Sequence, residues 1–155
     1  MEIRVVDFEI VTRHFTKYQE GVNKIEERKQ EFLKKIEPYR KEMENILLSA
    51  QSGLIIDQLS QQQRAEKFQH MQKEIMELDK EFKSQVAEMR QELSEVTYDQ
   101  LRKFIVEWSD QNDIDLVMGK VEIVCCKDVF DVTNDIIEIL KQKDLYSEYV
   151  EEQEK

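Results

Sequence analysis

Few side chains in this 155-residue chain have the chemistry for catalysis or metal binding: His14, His70, the adjacent pair Cys125-Cys126, and carboxylate pairs such as Glu26-Glu27 and Glu151-Glu152. A histidine can act as general base to a nucleophile, but His14 and His70 fall on separate helical stretches. No nucleophile sits in a recognisable motif beside either. The two cysteines and distant histidines have none of the usual metal-ligand spacings. Adjacent strand residues point to opposite faces, so a bridge between the two cysteines is not expected either. The carboxylate pairs read as solvated helix charge, and the three glycines are scattered singly, so no loop can cradle a phosphate. The expectation is no enzyme, no cofactor and no metal.

The dominant pattern is an apolar heptad seam. It runs through Val11, Phe15, Tyr18, Val22, Ile25, Lys29, Phe32, Ile36, Tyr39, Met43, Ile46 and Ala50, with Lys29 its one polar break. Steps of four and three average 3.5 residues, the signature of a helix wound against a partner. A second seam follows Gly53 through Phe68, Met71, Ile75, Leu78, Phe82, Val86, Met89, Leu93 and Val96, with a stutter between Phe82 and Val86 that relaxes supercoiling. The first helix is expected from Asp7–Val11 to about Leu48, and the second to about Trp108. Gly21 and Pro38 weaken the first helix, but both lie off the seam and the helix should survive them with a bend near Pro38, giving a bowed arm. Together the helices predict an antiparallel coiled-coil hairpin over 11–104 with its tip near 49–60.

The remaining residues predict a small split body, 1–10 with 105–143, followed by an acidic and frayed tail over 144–155. Ile3 to Val6 reads as a strand; Ile114 to Met118 and Val121 to Cys126 read as two more, joined by a tight turn at Gly119-Lys120. Thr133 or Asp131 can cap a last helix, Asn134 to Gln142. Three short strands and one short helix leave open sheet edges, and closing the sheets of several copies into one barrel would remove them. The fold class expected is α+β, mainly α. The self-association residues are Ile3, Val5, Val6, Leu116, Val117, Met118, Val121, Ile123 and Val124.

Net charge is −11, spread unevenly: residues 12–50 hold nine Lys/Arg against seven Glu, and residues 111–155 hold five against twelve Asp/Glu. The acidic end would repel phosphate backbones, which argues against a nucleic-acid-associated coiled coil. No run reaches membrane-spanning length and no secretory signal opens the sequence, so the expected location is cytoplasmic, or periplasmic if a signal has been removed. A two-helix hairpin buries one stripe only. Leu33, Leu48, Met76 and the tip cluster Leu54, Ile55, Ile56 and Leu59, with Met71 nearby, are therefore candidates to meet unfolded apolar segments; the tip cluster could equally cap its own hairpin.

The run Asp113-Ile114-Asp115-Leu116-Val117-Met118, then Val121 to Cys126, then Asp131-Val132-Thr133 before a short apolar helix, closely resembles the C-terminal signature of Skp/OmpH chaperones. The opening Ile3-Arg4-Val5-Val6-Asp7 is similar to their first strand, and the hairpin to their tentacle. The resemblance covers nearly the whole chain. It implies a homotrimer built on a small β-barrel, with three arms that hold an unfolded client without ATP. The chain departs from well-known members in being acidic and in lacking a signal peptide. The alternative class is a structural or assembly coiled coil with one dedicated protein partner.

Overall fold

The computed structural model describes residues 1–53 and 58–148. Its elements are β1 (Ile3–Val6), α1 (Phe8–Arg13), α2 (Thr16–Gln51), α3 (Gln58–Gln111), β2 (Leu116–Gly119) and α4 (Thr133–Gln142). They form two compact units, a terminal unit of Met1–Asn23 with Gln91–Lys155, and a hairpin unit of Lys24–Arg90.

In the hairpin unit the seam residues other than exposed Lys29 and Ala50 do what their spacing predicts. Ile36 and Met71 are buried, and Ile25, Phe32, Tyr39, Phe68, Ile75, Leu78, Phe82 and Val86 are half-buried. The Phe32 and Phe82 rings stack with centroids 4.3 Å apart, and Arg28 Nε donates to Gln85 Oε1 at 3.1 Å. Lys67 pairs with Glu42. Residue numbers that rise on one helix while falling on the other mark antiparallel pairing. Lys29 is exposed, its ammonium kept in water as a charged seam residue requires. Pro38 sits inside α2 on its exposed side, where the missing amide costs least.

In the terminal unit, β1 and β2 pair in parallel with Ile3 opposite Leu116 and Val6 opposite Gly119. On its other side β1 meets Asp131 through a bridge at Val5, and the Val132 amide donates to the Val5 carbonyl at 2.9 Å. The core gathers Val6, Val11, Phe15, Leu101, Ile105, Val132, Ile136 and Leu140, so strand, α1, the end of α3 and α4 all bury a face in one cluster. Asp7 starts α1 by accepting the Ile10 amide, as an N-cap should.

Four expectations are corrected. First, the strand hairpin does not form: Lys120–Glu122 is a single 3-10 turn, Ile123 to Lys127 is irregular, and among the described residues the sheet has two strands and no closure. Alternation over Val121 to Cys126 resembles a strand, but β1 already has neighbours on both sides. Second, the first helix is broken at His14-Phe15, because the Thr16 amide donates to the Leu145 carbonyl instead of one four residues back in its own helix. Third, the residues after Asp144 are not frayed as far as Ser147: Ser147 N donates to His14 O at 2.8 Å, and Tyr146 bridges Phe15. Tyr149 to Lys155 lie outside the described residues. Fourth, Val96 is not in the seam. It is 47% exposed, whereas Thr97 is 2% exposed, so past Leu93 the buried stripe steps by four through Thr97, Leu101 and Ile105. Repeated steps of four extend the stutter and aim the stripe at the terminal core.

Gly21 has a role beyond its helix cost. Leu93 packs so closely on the α2 backbone that a β-carbon at position 21 would collide with Leu93 Cδ1.

Candidate functional site

The residues expected to touch a client separate into three groups. Leu33, Leu48, Leu59 and Met76 stand exposed on α2 and α3, Leu59 at 65% and Met76 at 72%. Met71 is 6% exposed; it fills the seam and is not available at the surface, which its place in the heptad had already indicated. Leu54, Ile55 and Ile56 lie outside the described residues. One exposed residue, Leu47, was missed. Its signal was present, since Ile46-Leu47-Leu48 puts three consecutive apolar residues on a helix that can turn only one toward its partner.

Beside these leucines an open groove of about 540 Å³ is lined by Ile46, Leu47, Ala50, Ala65 and Phe68. Arg64 also lines it, and its Nη1 is buried without a hydrogen-bond partner among the described residues. An unmet guanidinium donor against an apolar wall suits a polypeptide, which offers side-chain methyls and main-chain carbonyls together. Exposed apolar residues on helices whose shared stripe is already filled have no further use for folding their own hairpin.

The residues expected to bring copies together are divided by the terminal unit. Ile3, Val5 and Val6 meet Leu116, Val117 and Met118 in the parallel pair, but Val5 and Val6 are buried within the chain itself. Val121 (87% exposed), Val124 (fully exposed) and half-buried Ile123 are not joined to that pair. Val129 and Phe130 add to this outward apolar surface. A network holds the segment's ends. Lys120 Nζ reaches Asp131 Oδ2 at 2.9 Å, Asp131 Oδ1 accepts the Thr133 amide at 3.0 Å and the Thr133 hydroxyl, and Thr133 Oγ1 accepts the Asp7 amide at 2.9 Å. Partial burial alone would raise the Asp131 pKa, but the hydrogen bonds from Thr133 and Lys120 outweigh it and hold the carboxyl below its usual range. The same contact raises the Lys120 pKa. The capping expectation is corrected: the N-cap position of α4 is Val132, which has no side-chain cap hydrogen bond, while Asp131 accepts the amide of Thr133 and the Thr133 hydroxyl accepts that of Asp7.

The remaining chemistry-bearing residues stay apart. His14 stacks on Tyr146 with centroids 5.2 Å apart and its Nδ1 lies 3.1 Å from the Ser147 carbonyl; His70 is exposed beside Glu74 in the other unit. Cys125 and Cys126 are free thiols. Among the described residues no group of three or more His, Cys, Asp or Glu is placed to hold a metal, and no helix is long and apolar enough to cross a membrane.

No curated protein matches the chain at a meaningful level. The family described as Outer membrane protein (OmpH-like) does match, over residues 2–140, which span the opening strand, the helical hairpin, the second strand and most of the last helix, so the chain belongs to the OmpH-like family.

Proposed function

We propose that this protein is an ATP-independent holdase that works as a homotrimer, with the terminal units associated and the hairpin units holding an unfolded client between them. Membership of the OmpH-like family is consistent with a chaperone role, and with the periplasm as its place of action. The observation that carries the reading is the row of exposed Leu33, Leu47, Leu48, Leu59 and Met76 on paired helices whose seam is already occupied. Several weak apolar contacts of this kind hold many sequences and release them without an energy source, because each is worth little and avidity supplies the rest. Self-association is supported by the outward-facing Val121, Val124 and Val129 beside a two-stranded sheet, since exposed apolar side chains gain by being covered by a partner.

Light scattering should give a mass three times that of one chain, and the protein should delay aggregation of several unrelated unfolded proteins. Leu47→Ser, Leu48→Ser and Leu59→Ser combined should impair that suppression while leaving mass and helicity unchanged. Suppression of one partner alone would instead mark a dedicated assembly protein, and full suppression by the triple variant would remove these leucines from the mechanism.

A further inference from the structure

A second surface lies in the terminal unit, where the last turns of α3 and the face of α4 bound a groove of about 480 Å³. Its apolar residues are half-buried Trp108, Ile114 and Ile139 and buried Val132. Its charged residues are Glu2, Arg4, Asp135 and Glu138. The one cation does not balance the rest: Arg4 is paired with Glu2 and also donates to the Ile3 carbonyl at 3.0 Å. Among the described residues Glu138 has one ion-pair partner, the exposed Lys141 one turn along its own helix at 3.1 Å. Asp135 has no ion-pair partner among the described residues and stands in the first turn of α4. The surroundings reinforce the sign, because residues 1–23 and 91–155 together hold ten Lys/Arg against twenty-one Asp/Glu.

We propose that this groove docks a cationic segment of a partner polypeptide, one that places a Lys or Arg side chain over Trp108 and between Asp135 and Glu138 with an apolar neighbour against Ile114 and Ile139. The half-buried indole supplies a π face for the cation, and the long stem of Lys or Arg suits an apolar floor with carboxylates at its rim. The field of the acidic unit attracts such a segment from a distance. A second copy of this unit would bring its own acidic surplus against the groove's carboxylates and is the poorer occupant, and a bare metal ion lacks three converging ligands among the described residues.

Trp108 is the chain's single tryptophan, so its emission reports the site without labelling. The probe is acetyl-Lys-Leu-Lys-Leu-Lys-amide, added to the assembled full-length protein, with acetyl-Glu-Leu-Glu-Leu-Glu-amide as its counterpart. The basic peptide should change the emission saturably and the acidic one should not. Raising salt from about 0.02 M to about 0.3 M should weaken binding several-fold. Asp135→Asn with Glu138→Gln should weaken it about tenfold. Both positions are exposed, so the fold should survive, and Asp135→Lys with Glu138→Lys should invert the preference toward the acidic peptide. The proposal is overturned if the basic peptide leaves the emission unchanged, if both peptides act alike, or if neither salt nor the neutral pair of substitutions weakens binding. This test is separate from aggregation suppression, and either can fail alone.

Discussion

The hairpin unit and the terminal unit divide charge and apolar exposure between them. Residues 24–90 carry thirteen Lys/Arg and thirteen Asp/Glu, so the entire net charge of −11 resides in the other unit. Under the proposed function, the balanced charge of the hairpin unit would let its exposed leucines meet an apolar segment of either charge without long-range bias. The acidic unit is selective by field before any contact is made. Binding of varied clients and binding of a cationic partner are thus assigned to surfaces with opposite physical characters.

The two units also differ in how they bury side chains, and core truncation should reveal it most strongly. Leu101 is fully enclosed by strand, helices and the Val132 segment, whereas Ile36, equally buried, lies between two helices only. Leu101→Ala should cost about 3–5 kcal/mol and Ile36→Ala about 2 kcal/mol, since a two-helix seam can close over a lost methyl group more easily. Urea unfolding followed by circular dichroism measures both; equal costs would mean that the seam is as rigid as the cluster. The next effect falls at Gly21. Ala is the better helix former by about 1 kcal/mol, but the collision with Leu93 sets overpacking of about 1–3 kcal/mol against it. Gly21→Ala should lower Tm by a few degrees, and a rise would show that Leu93 swings aside freely.

These contrasts explain what the amino-acid sequence revealed and what it concealed. The hairpin was legible because a 3.5-residue period repeats along α2 and α3 and each residue's partner follows from its helix alone. Ile3 to Val6 was legible as a run of β-branched residues, and the short helix of Ile136, Ile137 and Leu140 as an amphipathic face. The strap from Leu145 to Ser147 was not, because its hydrogen-bonding partners His14 and Thr16 lie some 130 positions away and nothing local in Leu145-Tyr146-Ser147 announces them. Val121 to Cys126 misled in the opposite sense: alternation is a local property, while the place beside β1 was taken by Asp131 and Val132. Of the candidate client residues, exposure of Leu33, Leu48 and Met76 followed from their places off the seam, as burial of Met71 followed from its place in it, whereas for Leu59 the sequence left exposure and capping of its own hairpin equally open.

Asp131 gives a pH signature confined to the terminal unit. Its pKa is depressed in the folded protein, so its contribution is fully present above the unfolded value of about 3.9 and is lost as pH falls through the folded value. Asp131→Asn should cost about 1 kcal/mol near neutral pH and flatten the loss of stability below about pH 4. An unchanged acid limb in the variant would place the responsible carboxylate elsewhere.

The smallest effect tests the charge division itself. If terminal units associate, each brings a surplus of eleven negative charges to the same place, and their repulsion opposes assembly. At about 0.01 M salt the screening length is about 30 Å, comparable to the unit itself; at about 0.15 M it is about 8 Å. Self-association should therefore tighten a few-fold over that range, measured by sedimentation velocity. The cationic peptide should respond in the opposite direction, losing affinity as the same field is screened. Client holding on the neutral hairpin unit should change little. Three responses of different sign from one variable are hard to obtain from a uniformly charged chain. If assembly instead weakens as salt rises, the copies are held by ion pairs, and the contact must lie where positive residues face negative ones, away from the exposed valines.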